Sequence, residues 1–230
     1  MPARAGTRSV LEFSLIDILV EYGHVLAAGF LRTIELFLLA AAGSLVLGTI
    51  LATLRVSPVP ALRAVGTGYV TLLRNTPLTL VFFFFVFAYP KLELVQFPFF
   101  TASVIALTIY TSAFVCEVLR AGINTVPVGQ AEAARSIGLG FAQSLTSVIL
   151  PQAFRAVVPP LVSVLIALLK NTTVAAGFSV DEVGSVIPFL NEVGEPTTNA
   201  FVWIAVGFLV LVIPLTLVQR SFEKRWSVAR

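Results

Sequence analysis

Residues 36–54 read LFLLAAAGSLVLGTILATL and carry no charged side chain. A helix that crosses about 30 Å of hydrocarbon needs about 20 mostly apolar residues, so this stretch predicts a membrane span. The rest of the chain has the same character: 57% of its 230 residues are hydrophobic and 12% are charged, whereas soluble domains carry about 25% charged residues. We therefore predict an all-α membrane protein without a separate soluble domain.

Five apolar runs are long enough to cross a membrane, and each is predicted as a helix because lipid offers the backbone no hydrogen-bond partners. The predicted spans are residues 29–54, 69–89, 99–119, 156 to beyond 169, and 200–218. Residues 1–28 are predicted to be a retained amphipathic, extracytoplasmic lead-in, because acidic residues interrupt any signal-peptide core. Within the transmembrane domain, residues 29–219, the segment 124–151 is predicted to be a helical cytoplasmic loop broken near Gly138 and Gly140. Residues 220–230 are predicted to be a cytoplasmic tail.

The basic residues of the loops predict the orientation of the chain. Arg55 and Arg63 follow the first span, and the tail 220–230 has four basic residues. Residues 178–200 contain four acidic residues and neither lysine nor arginine. Because cytoplasmic loops are enriched in lysine and arginine, we expect the N-terminus outside and the C-terminus in the cytoplasm.

Several other classes of protein are excluded by what the sequence lacks. Cys116 is the only cysteine, so no intramolecular disulfide can form. There is no G-x-x-x-x-G-K-[ST] phosphate loop to bind a nucleotide. The net charge is only +3, with scattered basic residues, which argues against a nucleic-acid surface. No catalytic or metal-ligand constellation can be assembled, so we predict no catalytic residue, no metal and no cofactor on this chain.

The predicted loop carries a spaced motif. It consists of Glu132-Ala133-Ala134, three residues, Gly138, nine residues, and the run VILP at 148–151. This spacing resembles the EAA loop of ABC importer permeases, and it departs at Val148, where isoleucine is usual.

Other segments resemble one branch of that family, the polar amino acid permeases. These are RNTPL at 74–78 and KNTT at 170–173, and the resemblance covers about residues 29–225. The runs RVSPV, RNTPLTLV, YTSAFV and GINTV look especially like those of actinobacterial glutamate permeases.

The resemblance implies a type I ABC importer permease fold in the bacterial plasma membrane. It also implies two ABC ATPase subunits that bind ATP and Mg²⁺, a second permease chain, identical or homologous, and an extracytoplasmic solute-binding protein. The implied solute is a polar amino acid, with glutamate or a related acidic or amide amino acid favoured. In the family, the loop couples the permease to the ATPase. The matching residues here are Gln130, Glu132, Ala133, Ala134, Gly138, Leu150 and Pro151.

The main alternative is a standalone secondary amino acid transporter. Such transporters usually have internal repeats and more spans, and neither feature is apparent in this sequence. A membrane scaffold or receptor would leave the full spacing of the loop motif unexplained.

Charged groups inside predicted spans are functional candidates, because placing one at the bilayer centre costs about 2.5–3.5 kcal/mol. Alternatives stay open, since Lys170 and Arg74 could reach the interface by snorkelling and Glu117 could pair with Arg120. The candidates for the solute pathway are Lys170, Asn171, Thr172, Arg74, Asn75, Thr76 and Glu117.

Overall fold

The computed structural model describes residues 15–226, and the described chain is entirely helical. The helices are α1 (Leu15–Val56), α2 (Pro60–Arg74), α3 (Leu78–Phe83), α4 (Phe99–Asn124), α5 (Val128–Ser136), α6 (Phe141–Ser144), α7 (Leu150–Asn171), α8 (Val186–Glu192) and α9 (Thr197–Trp226). Wider or tighter turns extend three of them: α3 continues to Leu92, α6 runs through a π-helical turn into α7, and a 3₁₀ segment, Thr172–Phe178, follows α7.

Helix α1 is longer than the first predicted span. It runs unbroken for 42 residues, so there is no helix end at residue 28, where the predicted lead-in would stop. Ile18 and Leu26 are buried in a cluster with residues of α8 and α9, which gives this end of α1 a packed partner within the chain. Residues 1–14 lie outside the described part, and the membrane-surface location of the lead-in stays a prediction.

The prediction of one continuous second span at 69–89 is wrong. Helices α2 and α3 meet at a bend of 106°. Pro77 causes the break because it lacks a backbone N–H and disfavours helical geometry at Thr76. The side chains of Asn75 and Thr76 accordingly bond back to the carbonyls of Thr71 and Leu72, at 2.7 and 2.8 Å, and finish α2.

The other spans are confirmed with different ends. Helix α4 starts at the predicted residue 99 and continues to Asn124. The helix that carries the fourth predicted span begins before residue 156, because an apolar helical stretch extends over Phe141–Phe178. Pro151 lies in the first turn of α7, where a missing N–H costs little. Within residues 15–226, four helical stretches are thus long and apolar enough to cross a membrane, and the bent pair α2–α3 would make a fifth.

The core lies between α1 and α4, whose close approach depends on small residues. A Cβ atom at Gly43 would lie 2.9 Å from the side chain of Thr108, and one at Gly48 would lie 2.6 Å from that of Val115. Leu36, Ala40 and Leu107 are fully buried in the surrounding cluster. This packing fixes α4, which carries the candidate residue Glu117.

Candidate functional site

The loop predicted to couple the chain to an ATPase is a short helix followed by a sharp turn. Helix α5 ends at Ser136, and Gly138 has a φ of +86°. This left-handed conformation favours glycine, and it lets the backbone reverse before α6. Gln152 of α7 donates to Gln130 of α5 over 3.4 Å, which adds a side-chain link to the packing that holds α5 against the membrane domain.

The motif residues divide into an anchor and an outer surface. Ala134 is buried, whereas Glu132 and Ala133 are exposed, as are Leu150 and Pro151 in the first turn of α7. A small residue at the anchor allows α5 to pack closely on the chain. The carboxylate of Glu132 therefore faces away from the membrane domain and is available to another molecule.

Three apolar side chains on the loop extend this outer surface. Val128, Ile137 and Phe141 are 74%, 77% and 77% exposed. Sequence reasoning missed them, although apolar residues in an otherwise polar loop were visible as a signal. Exposed apolar residues beside a charge are typical of a protein–protein contact surface.

A separate cleft lies between α4 and α7, with a volume of about 230 Å³. Phe114, Val164, Ala167 and Leu168 supply its apolar wall, and Tyr110, Thr111 and Asn171 supply polar groups. A mostly apolar cleft with a few polar groups is typical of a small-molecule site. Tyr110 and Thr111 were not among the candidates, because two hydroxyl residues in an apolar run carry no local signal of what they face.

Of the polar residues at the end of α7, only Asn171 lines this cleft. Helix α7 changes to a 3₁₀ segment after Asn171. Lys170 is exposed on another side of the helix. Thr172 is fully buried, and its hydroxyl donates to the carbonyl of Leu169 at 2.7 Å, so it does not face open space in this conformation.

Arg74 and Glu117 meet in an ion cluster rather than in the cleft. Glu117 of α4 contacts the guanidinium of Arg55, at the end of α1, and also lies 3.2 Å from Arg120 and 3.7 Å from Arg74. The pairing with Arg120 agrees with the alternative drawn from the sequence. Arg55 was read only as a loop charge, because its partner is 62 residues away in the chain.

A second buried acid, Glu182, joins α1 to the segment after α7. Thr33 donates to one carboxyl oxygen at 3.0 Å, and the backbone N–H of Gly184 donates to the other at 2.6 Å. Burial raises the pKa of Glu182, and these hydrogen bonds oppose the rise. Sequence reasoning counted Glu182 only as a loop charge that indicated orientation.

Neither a metal site nor a nucleotide site emerges from the described geometry. Residues 15–226 contain no group of three histidine, cysteine or acidic side chains placed to hold a metal ion. The arrangement instead offers an outer coupling surface and an interior cleft, which together suit the passage of a solute.

Comparison with known proteins gives one consistent answer. Residues 44–228 match the family described as the binding-protein-dependent transport system inner membrane component. The chain is 46% identical over 225 residues to the glutamate transport system permease protein GluC of Corynebacterium efficiens, covering 91% of this chain and 97% of that protein. It is 38% identical over 213 residues to the probable glutamine ABC transporter permease protein GlnM of Bacillus subtilis, with the same coverage of 91% and 97%.

The fold agrees with solved transporters. A structure of an amino acid ABC transporter with histidines superposes with a TM-score of 0.84 at 28% identity, covering 90% of this chain and 96% of that chain. An inward-facing structure of the MetNI methionine ABC transporter superposes with a TM-score of 0.71 at 17% identity, covering 90% and 98%, and supports the fold alone.

Proposed function

This chain belongs to the family of inner membrane components of binding-protein-dependent transport systems, and we propose that it carries glutamate, or a related acidic or amide amino acid, as one half of a permease. It is a non-catalytic, multi-pass permease subunit of an ABC importer in the bacterial plasma membrane, and ATP is hydrolysed by separate subunits. The fold is that of ABC importer permeases rather than of a standalone transporter.

The coupling role rests on the outer surface of α5. Glu132 and Ala133 are exposed there, between the exposed side chains of Val128 and Ile137. A protruding helix with a small residue at its tip can enter a groove on a partner, and Glu132 can pair with a basic group at the rim. We propose that this surface binds one of two ATPase subunits. Those subunits bind ATP and Mg²⁺, and their hydrolysis of ATP supplies the energy for transport.

The solute role rests on the cleft between α4 and α7. Tyr110, Thr111 and Asn171 line a space of about 230 Å³, and hydroxyl and amide groups suit the α-amino and α-carboxylate groups of an amino acid. Lys170 lies beside Asn171 in the chain. Its side chain is exposed on another side of α7, so the cleft itself, whose lining residues are uncharged, supplies no cation for an anionic solute.

A second permease chain would complete this pathway. Helix α9 has little of its apolar length buried, and Leu209, Val210 and Leu217 are exposed along it, so lipid or another subunit must cover it. We propose an identical or homologous partner chain, with an extracytoplasmic binding protein delivering the solute. Similarity to permeases named for glutamate and glutamine transport favours those two solutes.

The test of the solute is thermal stabilisation of the purified complex against a panel of amino acids. Glutamate or glutamine should raise the apparent Tm more than basic or apolar amino acids do. Asn171→Ala should weaken the apparent affinity about tenfold, as expected for a lost hydrogen bond to a charged group. Ser163→Ala, on an exposed position of α7 outside the cleft, is the matched control. Equal stabilisation by every amino acid would contradict the assignment.

A further inference from the structure

Among the residues that the structure describes, the cluster around Glu117 has three arginines and one acid, so its positive charge exceeds its negative charge. Arg55 from α1, Arg74 from α2 and Arg120 from α4 all contact the same carboxylate. With all four groups ionised, the cluster has a net charge of about +2. Three guanidinium groups from three helices repel one another unless anions lie between them.

The hydrogen-bond donors of these arginines are also in excess. Each guanidinium has about five N–H donors, whereas one carboxylate offers about four acceptor positions. The Nε atom of Arg120 is buried without a partner among the described residues. Arg74 lies 3.7 Å from Glu117, beyond hydrogen-bond distance, and about half of its side chain is exposed. The cluster thus has free donors and an open side.

The surroundings of the open side indicate what would reach it. Leu72, two residues before Arg74, is 65% exposed, and Val56, next to Arg55, is 57% exposed. Charged groups at the ends of apolar helices, beside exposed aliphatic side chains, match the boundary between lipid headgroups and acyl chains. In the proposed orientation this boundary is the cytoplasmic one, where anionic lipids are concentrated.

We propose that Arg55, Arg74 and Arg120 form a binding site for an oxyanion group, which lowers the net positive charge around Glu117. The phosphate of an anionic phospholipid is the favoured source, because acyl chains can lie along the exposed side chains of Leu72 and Val56. The carboxylate of a departing solute has the same chemistry and is the second source. The proposal depends on the cytoplasmic orientation of this end and not on which amino acid is carried.

The test is lipid retention by the full-length permease, purified from its membrane with its associated subunits and followed by native mass spectrometry. Phosphatidylglycerol should be retained in preference to phosphatidylcholine. Arg74→Gln should lower that retention about tenfold, because it removes one charge-assisted contact. Arg74 is the residue to change because it makes only the long contact to Glu117, so the fold should survive.

The matched control is Arg63→Gln, on the same helix α2. Arg63 is exposed and lies 11 residues, about three turns, before Arg74. General attraction to an anionic membrane would be weakened equally by both changes, and that result would overturn the proposal.

A second measurement distinguishes the two sources of the oxyanion. Glutamate is added instead of lipid, and the thermal stabilisation of the wild type and of both variants is compared. If glutamate stabilises the wild type but not Arg74→Gln, and Arg63→Gln behaves as the wild type, the oxyanion is the solute carboxylate. If Arg74→Gln changes neither lipid retention nor stabilisation by glutamate, the cluster binds no oxyanion and the proposal is wrong.

Discussion

At the residue scale, Glu182 is a fully buried acid held by two elements of the chain. Its contact Thr33 has one hydroxyl hydrogen but two acceptors at 3.0 Å, the carbonyl of Gly29 and the carboxyl of Glu182. When Thr33 donates its hydrogen to the Gly29 carbonyl instead of to Glu182, a protonated Glu182 can keep the contact by donating to the Thr33 hydroxyl. Burial raises the pKa of Glu182, because it penalises the charged form of the carboxyl, and this also favours a protonated Glu182.

The raised pKa of Glu182 predicts how the stability of the folded protein depends on pH. A carboxyl whose pKa is raised by folding contributes stability below its usual pKa of about 4.3, and loses it as pH rises through the raised value. Glu182→Gln mimics the protonated form, so this variant should not lose stability at this position as pH rises. The apparent Tm of the wild type should therefore fall relative to Glu182→Gln as pH rises above about 4.3. Glu192→Gln, at an exposed position of α8, is the control, and parallel pH profiles for the wild type and Glu182→Gln would refute the prediction.

Functional residues could be predicted from the sequence where they belong to a short motif. The loop motif is a spacing within twenty residues, so Glu132, Ala134 and Gly138 could be picked out together. The contacts of Arg55 with Glu117 and of Thr33 with Glu182 span 62 and 149 residues. Such partners depend on how helices pack, which charge and periodicity along one sequence do not reveal.

At the element scale, the packing of α1 on α4 depends on close approach at Gly48. A methyl group there would lie 2.6 Å from Val115 and 2.9 Å from the carbonyl oxygen of Ser112. The backbone oxygen belongs to a buried helix and has little freedom to shift, so α1 and α4 would have to separate.

Gly48→Ala should therefore destabilise the protein by about 1–3 kcal/mol, the usual cost of overpacking. Gly68→Ala is the matched control, because Gly68 also lies in a helix but has no atom within 4 Å of an added Cβ. The control should be neutral or stabilising by up to about 1 kcal/mol through helix propensity. Thermal unfolding in detergent compares the two variants, and equal Tm values would contradict this account of the packing.

The number of apolar helices could be predicted from the sequence, whereas the residues at which they begin and end were predicted less well. Long apolar runs indicate spans because hydrocarbon thickness sets their length. The bend at Pro77 was missed because the apolar run continues past it, although the proline itself was a local warning. The helix after Gly140 was expected within the loop, but its continuation through a π-helical turn into α7 was not, because polar residues at 141–147 separate it from the apolar run of the fourth span.

At the scale of the whole molecule, orientation rests on the distribution of basic residues. If the tail is cytoplasmic, α8 lies outside and the turn between α5 and α6 lies inside. Charge asymmetry supports this arrangement, as does the proposed contact of α5 with an ATPase subunit, because ATP is available in the cytoplasm.

Labelling of single cysteines tests the orientation. Cys116 is buried, and Cys116→Ser provides a background without a native thiol. In that background, Glu192→Cys should react with a membrane-impermeant maleimide on intact cells, and Gly140→Cys should react only after permeabilisation. Both positions are exposed, so a failure to react reports the side of the membrane rather than burial. Labelling of both from outside would reject the five-span topology.

We propose that α5 transmits the energy of ATP hydrolysis to an amino acid pathway through this chain. The most direct measurement is ATP-driven glutamate uptake into proteoliposomes that contain the permease, its ATPase subunits and its binding protein. Glu132→Lys should reduce uptake and solute-stimulated ATP hydrolysis at least tenfold, because it reverses an exposed charge on the contact surface. Ser136→Ala, one turn further along α5, should transport as the wild type does. Wild-type uptake by Glu132→Lys would contradict the account.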